Sequence, residues 1–99
     1  MEPVYVEIVT APNCPHSPKA LKIALTIASK THDVPIVVRE ISVATDEGRG
    51  LAEDYAIDAT PTITINGKIA YIGVPSINAF NLLVKDFLRS ERYRNNYFF

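Results

Sequence analysis

The sequence predicts one α/β domain in the order βαβαββα, with a four-stranded mixed sheet flanked by helices. Three observations carry this expectation. Two runs rich in β-branched residues, "VYVEIVT" at 4 to 10 and "PIVVREI" at 35 to 41, bracket a segment of helical periodicity. Two further short strands, "PTITI" and "KIAYIG", flank Asn66-Gly67, a strong hairpin signal. A last amphipathic segment follows Ser76. With 99 residues, 47% of them hydrophobic, the chain can enclose one modest core but not two. Residues 1–99 therefore read as a single domain, with its core at about 4–90 and a C-terminal tail at 91–99.

Taken in order, residues 4 to 10 place apolar side chains on both faces, as a central covered strand does. From Pro18 to Lys30, Lys19, Lys22, Thr26 and Ser29 recur at helical spacing and leave Leu21, Ala24, Leu25, Ile27 and Ala28 as a buried stripe. After the polar break "HDV", the strand at 35 to 41 completes a right-handed βαβ unit with two parallel strands. Thr45 is the expected N-cap of the next helix, with acids in its first turn and Leu51 and Tyr55 on one face. Gly48 and Gly50 weaken its beginning. The hairpin is antiparallel, and Ser76 caps a final helix in which Ile77, Phe80, Val84, Phe87 and Leu88 share a face. The aromatic tail, with Tyr93, Tyr97, Phe98 and Phe99, is expected either to fray or to fold back on an apolar surface.

A formal net charge of -1 and scattered Lys and Arg residues leave no electrostatic footprint for nucleic acid. No apolar run approaches the length of a membrane span, and the opening residues lack the charged start and apolar stretch of a signal peptide. The expectation is a cytoplasmic protein with neither nucleic-acid nor membrane partners. One cysteine excludes an internal disulfide framework, and His16 and His32 supply no repeated spacing for structural zinc. Whatever Cys14 does, it does as a lone thiol.

The stretch "TAPNCPHSPKALKIA" places that thiol where a strand turns into a helix. With Cys14 at the N-cap and Pro15 at the first helical position, the N–H groups of His16 and Ser17 point toward the sulfur. Together with the helix dipole they favour thiolate, lowering the Cys14 pKa below a free value of roughly 8.5. A large thiolate fraction at neutral pH is what attack on a disulfide requires. The competing reading is an inert thiol packed as a small hydrophobe. His16, when protonated, adds a positive charge beside the sulfur; alternatively it is exposed with no sulfur contact. Pro18 lacks the N–H that would bond the Cys14 carbonyl, loosening the first turn or merely kinking it. Lys19 and Lys22 either steer anionic partners or form a solvated face, and His32 is a surface residue.

The element order, the cysteine at the first strand-to-helix junction and Thr60-Pro61-Thr62 before the hairpin together resemble the thioredoxin fold. The resemblance covers about residues 4 to 90 and is nearest to small archaeal thioredoxin and glutaredoxin-like proteins, through "CPH", "TPT", "ING" and "IGVPS". It implies a thiol-disulfide oxidoreductase with Cys14 as attacking thiolate and Pro15 and His16 within the active-site turn. The Pro-His pair also resembles that of strongly oxidising periplasmic members. Pro61 matches the family's cis-proline, so Thr60 would bind an extended substrate through its N–H and C=O. Gly73 and Val74 match a loop that touches small-thiol ligands, although the paired glycines typical of glutaredoxins are missing. In thioredoxins a buried acid beneath the cysteine pair helps proton transfer, and a one-residue longer loop would put Glu7 near that place as a proton acceptor; its alternative is a sheet-edge carboxylate reaching water.

Ser17 stands where the family carries its second cysteine. A hydroxyl is too poor a nucleophile toward sulfur to resolve a mixed disulfide at neutral pH. The chain therefore reads as a resolving-cysteine-to-serine variant of a dithiol enzyme. Two alternatives remain: a natural monothiol protein resembling Cys-x-x-Ser glutaredoxins that bind or transfer an iron-sulfur cluster, and a monothiol enzyme resolved by an external thiol. The preferred reading calls for no metal and no resident cofactor, with protein disulfides as substrates and a thioredoxin-reductase-type electron donor.

Overall fold

The computed structural model describes residues 2–97, with side-chain environments as far as Arg89. The elements are β1 (Val4–Thr10), α1 (Ser17–Lys30), β2 (Ile36–Ser42), α2 (Asp46–Asp54), β3 (Thr62–Ile65), β4 (Lys68–Ile72) and α3 (Ile77–Tyr97). The order βαβαββα is the expected one. The sheet runs β2-β1-β3-β4, with β1 parallel to β2 and antiparallel to β3, and β3 antiparallel to β4. It is the mixed four-stranded sheet the sequence predicts, with β1 central.

The period-2 alternation of β1 decides which helix covers which face. Val4, Val6 and Ile8 point into one buried cluster with Ile63 and Ile65 of β3, Ala20, Ala24 and Ile27 of α1, and Phe80 and Val84 of α3. α1 and α3 therefore share a face and pack on each other. Val9 and Ile41, buried outside that cluster, lie on the opposite face, where α2 packs against β2. The small residues Ala20 and Ala24 let α1 approach the sheet closely. Leu25, expected within the buried stripe, is instead 50% exposed, because the close-packed face of α1 is narrower than its apolar stripe.

The caps follow the sequence. Thr45 Oγ1 accepts from the Gly48 N–H at 3.0 Å, and Ser76 Oγ accepts from the Ala79 N–H at 3.0 Å. Asn66 and Gly67, with φ of 48° and 82°, make the two-residue turn of the hairpin. Opposite Ile63 a β-bulge interrupts the β3–β4 register. Gly48 has a role that helix propensity hides: a Cβ there would lie 1.8 Å from the Ser42 carbonyl oxygen, so only glycine lets α2 sit this close to the end of β2. The last helix continues to Tyr97, beyond the expected boundary at residue 90. The two alternatives for the aromatic tail concern side chains outside the described residues.

Candidate active site

Strand register gathers the candidate residues at one end of the sheet. β1 runs toward Cys14, and its Val9 pairs with Thr62, the first residue of the antiparallel β3. Thr60 and Pro61 therefore sit beside the end of β1 from which the loop to α1 departs. Thr62 in turn pairs with Ile72, the last residue of β4, which delivers Gly73 and Val74 to the same end. The Gly73 N–H donates to the Pro61 carbonyl at 2.8 Å, and Gly73 holds φ of 107°, a conformation that favours glycine. Thr62 Oγ1 donates to the Ala59 carbonyl at 2.7 Å, tightening the loop around Thr60. The Thr60–Pro61 peptide is cis.

Cys14 is half-buried and unpaired. Its Sγ donates to the Thr60 carbonyl oxygen at 3.3 Å, a contact spanning 46 residues of sequence. This hydrogen bond joins the cysteine turn to the loop carrying Pro61. The thiol pKa is lowered from 9.0 to about 7, first by the Ser17 hydroxyl and then by the Thr60 side chain, with the backbone N–H groups of His16 and Ser17 adding and partial desolvation opposing. The Thr60 carbonyl contact itself favours the protonated thiol, since it uses the S–H as donor. The donors prevail over it.

The helix starts later than the sequence reading placed it. Cys14 is not the N-cap, nor is Pro15 the first helical residue; the N-cap is His16 and α1 begins at Ser17. Pro18 explains the difference, because it fits the first helical turn as well as Pro15 does and stands nearer to the regular helix. Residues 11 to 17 form two successive turns, in which the Cys14 N–H donates to the Ala11 carbonyl at 3.1 Å and the Ser17 N–H to the Cys14 carbonyl at 3.3 Å. The Cys14 carbonyl thus has a partner despite the missing N–H of Pro18. Pro15 and His16 are exposed at the rim, and Lys19, Lys22 and His32 face solvent.

Ser17 is nearly enclosed, at 4% exposure, and its Oγ accepts from the Ala11 N–H at 3.5 Å. The sequence reading treated this residue only as the place of a missing thiol. A polar residue in the first turn of a helix that packs its small residues on the sheet was the available signal for a buried hydroxyl.

Glu7 does not join this group. Strand alternation turns it to the face opposite Val6 and Ile8, hence away from α1, and its Oε1 accepts from Thr64 Oγ1 at 2.9 Å on the neighbouring strand. It is half-buried within the sheet, and its hydrogen-bond partner is Thr64 rather than Cys14 or Ser17. At the end of β1, where the cysteine loop departs, Thr10 Oγ1 donates to Glu40 Oε2 at 3.0 Å.

With the site in view, the likeness to known proteins is specific. The model of the thioredoxin domain family matches residues 4–85, from the start of β1 well into α3. The chain belongs to the thioredoxin-domain family. Similar proteins include the thioredoxin of Methanocaldococcus jannaschii, 36% identical over 85 residues that cover 86% of this chain and 96% of that one. A probable thioredoxin of Archaeoglobus fulgidus is 31% identical over 90 residues, covering 91% of this chain and 96% of its own. Among solved structures, a protein disulfide oxidoreductase from Aeropyrum pernix superposes with a TM-score of 0.69 at 29% identity, over 78% of this chain. This chain spans 34% of that protein, so the likeness extends to about a third of it. The thioredoxin-domain fold accounts for the meeting of Cys14, Thr60, Pro61 and Gly73 at one sheet end. Within the described residues of this family member, no helix is long and apolar enough to cross a membrane.

Proposed function

We propose that this thioredoxin-domain chain is a thiol-disulfide oxidoreductase in which the Cys14 thiolate attacks a protein disulfide, and in which residue 17, being serine, leaves the mixed disulfide unresolved from within. The observation that carries the reading is a lone half-buried thiol, lowered to about 7, hydrogen-bonded to the residue before Pro61. At neutral pH about half of such a sulfur is nucleophilic.

The step balances simply. The Cys14 thiolate forms a new S–S bond with one substrate sulfur, the substrate disulfide breaks, and the other sulfur leaves as thiolate, protonated by solvent. In a dithiol relative the second cysteine would attack Cys14 Sγ. Here an external thiolate must do so, forming a disulfide with the substrate sulfur or with Cys14 according to which sulfur it attacks. Thr60, Pro61, Gly73 and Val74 supply the surface on which an extended substrate segment lies, the Thr60 backbone being its pairing edge. Pro15 and His16 border that surface. Protein disulfides are the substrates, a thioredoxin-reductase-type donor would restore the reduced state, and a reducing, cytoplasmic setting suits a reactive free thiol.

The test compares the chain with its Ser17→Cys variant in catalytic reduction of a protein disulfide with excess dithiol, while intact mass is followed. The expected result is turnover by the variant and a stable adduct on Cys14 in the unaltered chain. Equal turnover by both would overturn the trapped-intermediate reading in favour of external resolution. Uptake of an iron-sulfur cluster with visible absorption, and no reductase activity in either, would overturn the oxidoreductase reading altogether.

A further inference from the structure

Ile36, Val38 and Glu40 stand on the α1 face of β2, in register with Val4, Val6 and Ile8 of β1. The first two continue the apolar lining of that face, and Glu40 interrupts it with a carboxylate. Its partner explains the interruption. Thr10, the last residue of β1, is 2% exposed, and its Oγ1 donates to Glu40 Oε2 at 3.0 Å. A hydroxyl so buried needs an acceptor, and a carboxylate on the neighbouring strand is a strong one. The same strand end carries the cysteine turns. The Val43 N–H donates to the Thr10 carbonyl at 2.8 Å, so backbone and side chain both tie Thr10 to the β2 side. Ala11, the next residue, accepts from the Cys14 N–H at 3.1 Å and donates its own N–H to Ser17 Oγ at 3.5 Å. Cys14 is thus held from one side through Thr10 and Ala11, and from the other by the contact of its Sγ with the Thr60 carbonyl at 3.3 Å. The tie between Thr10 and Glu40 is made by side chains alone, so a substitution removes it and leaves the backbone whole.

We propose that Glu40 is a positioning residue that sets which disulfides Cys14 attacks: by holding Thr10 it fixes the end of β1, and so keeps the Cys14 sulfur aligned with the Thr60 edge on which a protein segment lies. The inference rests on the reading of Cys14 as the attacking thiolate and of Thr60 as the pairing edge. Glu40 acts through Thr10 and takes no part in the exchange itself, in which Cys14 Sγ bonds to one substrate sulfur while the other departs as thiolate. A protein disulfide arrives in one orientation, set by backbone pairing at Thr60, so a displaced sulfur meets it out of line. A small disulfide makes no such pairing and turns to meet the sulfur wherever it lies. Glu40 therefore favours protein disulfides over small ones, and its accepting oxygen, rather than its charge, is the feature that does so.

The experiment measures the rate constant of the reduced full chain with insulin, followed by intact mass, and with the small disulfide dithiodipyridine, followed by absorbance, at a single pH. The proteins compared are the unaltered chain, Glu40→Ala, Glu40→Gln, Thr10→Val and the double variant Glu40→Ala with Thr10→Val. Glu40 is exposed on an edge strand and valine has the shape of threonine, so the variants keep the fold; far-ultraviolet circular dichroism checks it. Glu40→Ala and Thr10→Val should each slow the reaction with insulin about fivefold, and that with dithiodipyridine by less than about twofold, because only the first depends on alignment. Glu40→Gln, whose amide oxygen still accepts from Thr10, should react as the unaltered chain does. The double variant should also be about fivefold slower rather than about twenty-fivefold, since both substitutions break the same hydrogen bond. Equal slowing with both disulfides would overturn the proposal. So would an unchanged insulin rate, a Glu40→Gln variant as slow as Glu40→Ala, or losses that multiply in the double variant. A different outcome marks failure of the underlying reading: if the unaltered chain reacts with dithiodipyridine yet makes no adduct with insulin, the protein-disulfide reading falls, and the role of Glu40 falls with it.

Discussion

At the scale of single residues, the Cys14 sulfur links reactivity to stability. Its pKa is about 7 when folded against 9.0 when unperturbed, so the folded state releases the proton first. Stability from this source is therefore fully present above pH 9, fades as pH falls, and is gone below pH 7. The prediction is that Cys14→Ala costs more thermal stability at pH 9 than at pH 6. Melting curves of both proteins under reducing conditions measure this, and a gap independent of pH would refute it. Much of this site was legible in sequence, since a cysteine between a β-run and a helix, followed far downstream by Thr60-Pro61, has few other uses. The start of α1 was not legible, because Pro15 and Pro18 both satisfy the same rule for the first turn and only the packing of Ser17 and Ala20 on the sheet selects one. Counting in twos from Val6 and Ile8 turns Glu7 to the other face of β1, where Thr64 is its hydrogen-bond partner.

At the scale of elements, α2 shows how one sequence feature can hide two causes. Gly48 and Gly50 look alike as helix-weakening residues, yet a Cβ at position 48 meets the Ser42 carbonyl oxygen at 1.8 Å, whereas position 50 has nothing within 4 Å. Gly48→Ala should therefore destabilise the domain by roughly 2–3 kcal/mol, since a backbone atom must move to admit the methyl. Gly50→Ala should stabilise it by about 0.4–1 kcal/mol through the smaller entropy of its unfolded chain and better helix propensity. Urea titrations of the two variants give opposite displacements of the midpoint if this is right, and the same displacement if both glycines serve propensity alone. The cap is simpler: losing the Thr45 hydroxyl, which accepts from the Gly48 N–H at 3.0 Å, should cost about 1 kcal/mol in Thr45→Ala. Propensity reasoning found the N-cap, the hairpin turn and the Ser76 cap because these are local. The approach of α2 to β2 is a tertiary contact, invisible until Ser42 and Gly48 are brought together.

At the scale of the whole molecule, the distribution of the core decides which substitutions matter. The main buried cluster lies on one side of the sheet, between β1, β3, α1 and α3, and Phe80 is its largest fully buried side chain. Among the described residues, the helix on the other face is α2, nine residues long, and Tyr5, Val37 and Ile69 there are exposed by a third or more. Because α3 starts beside the loop bearing Gly73 and Val74, and Phe80 sits in its first turn, the same residue that fills the core also anchors the helix at the end of the sheet where Cys14 and Thr60 meet. Phe80→Ala should cost about 3–5 kcal/mol, a large share of the stability of a domain this size. Sequence periodicity identified Phe80 and Val84 correctly but gave Leu25 the same status, since an apolar stripe marks a range of directions and only the sheet's position selects among them. Leu25→Lys should accordingly change stability by no more than about 0.5 kcal/mol. Denaturant midpoints of the two variants put the one-sided core to the test: a comparable loss from both would mean that α1 buries its full stripe, and that the face holding Cys14 to the sheet is wider than Ala20, Ala24 and Ile27 make it.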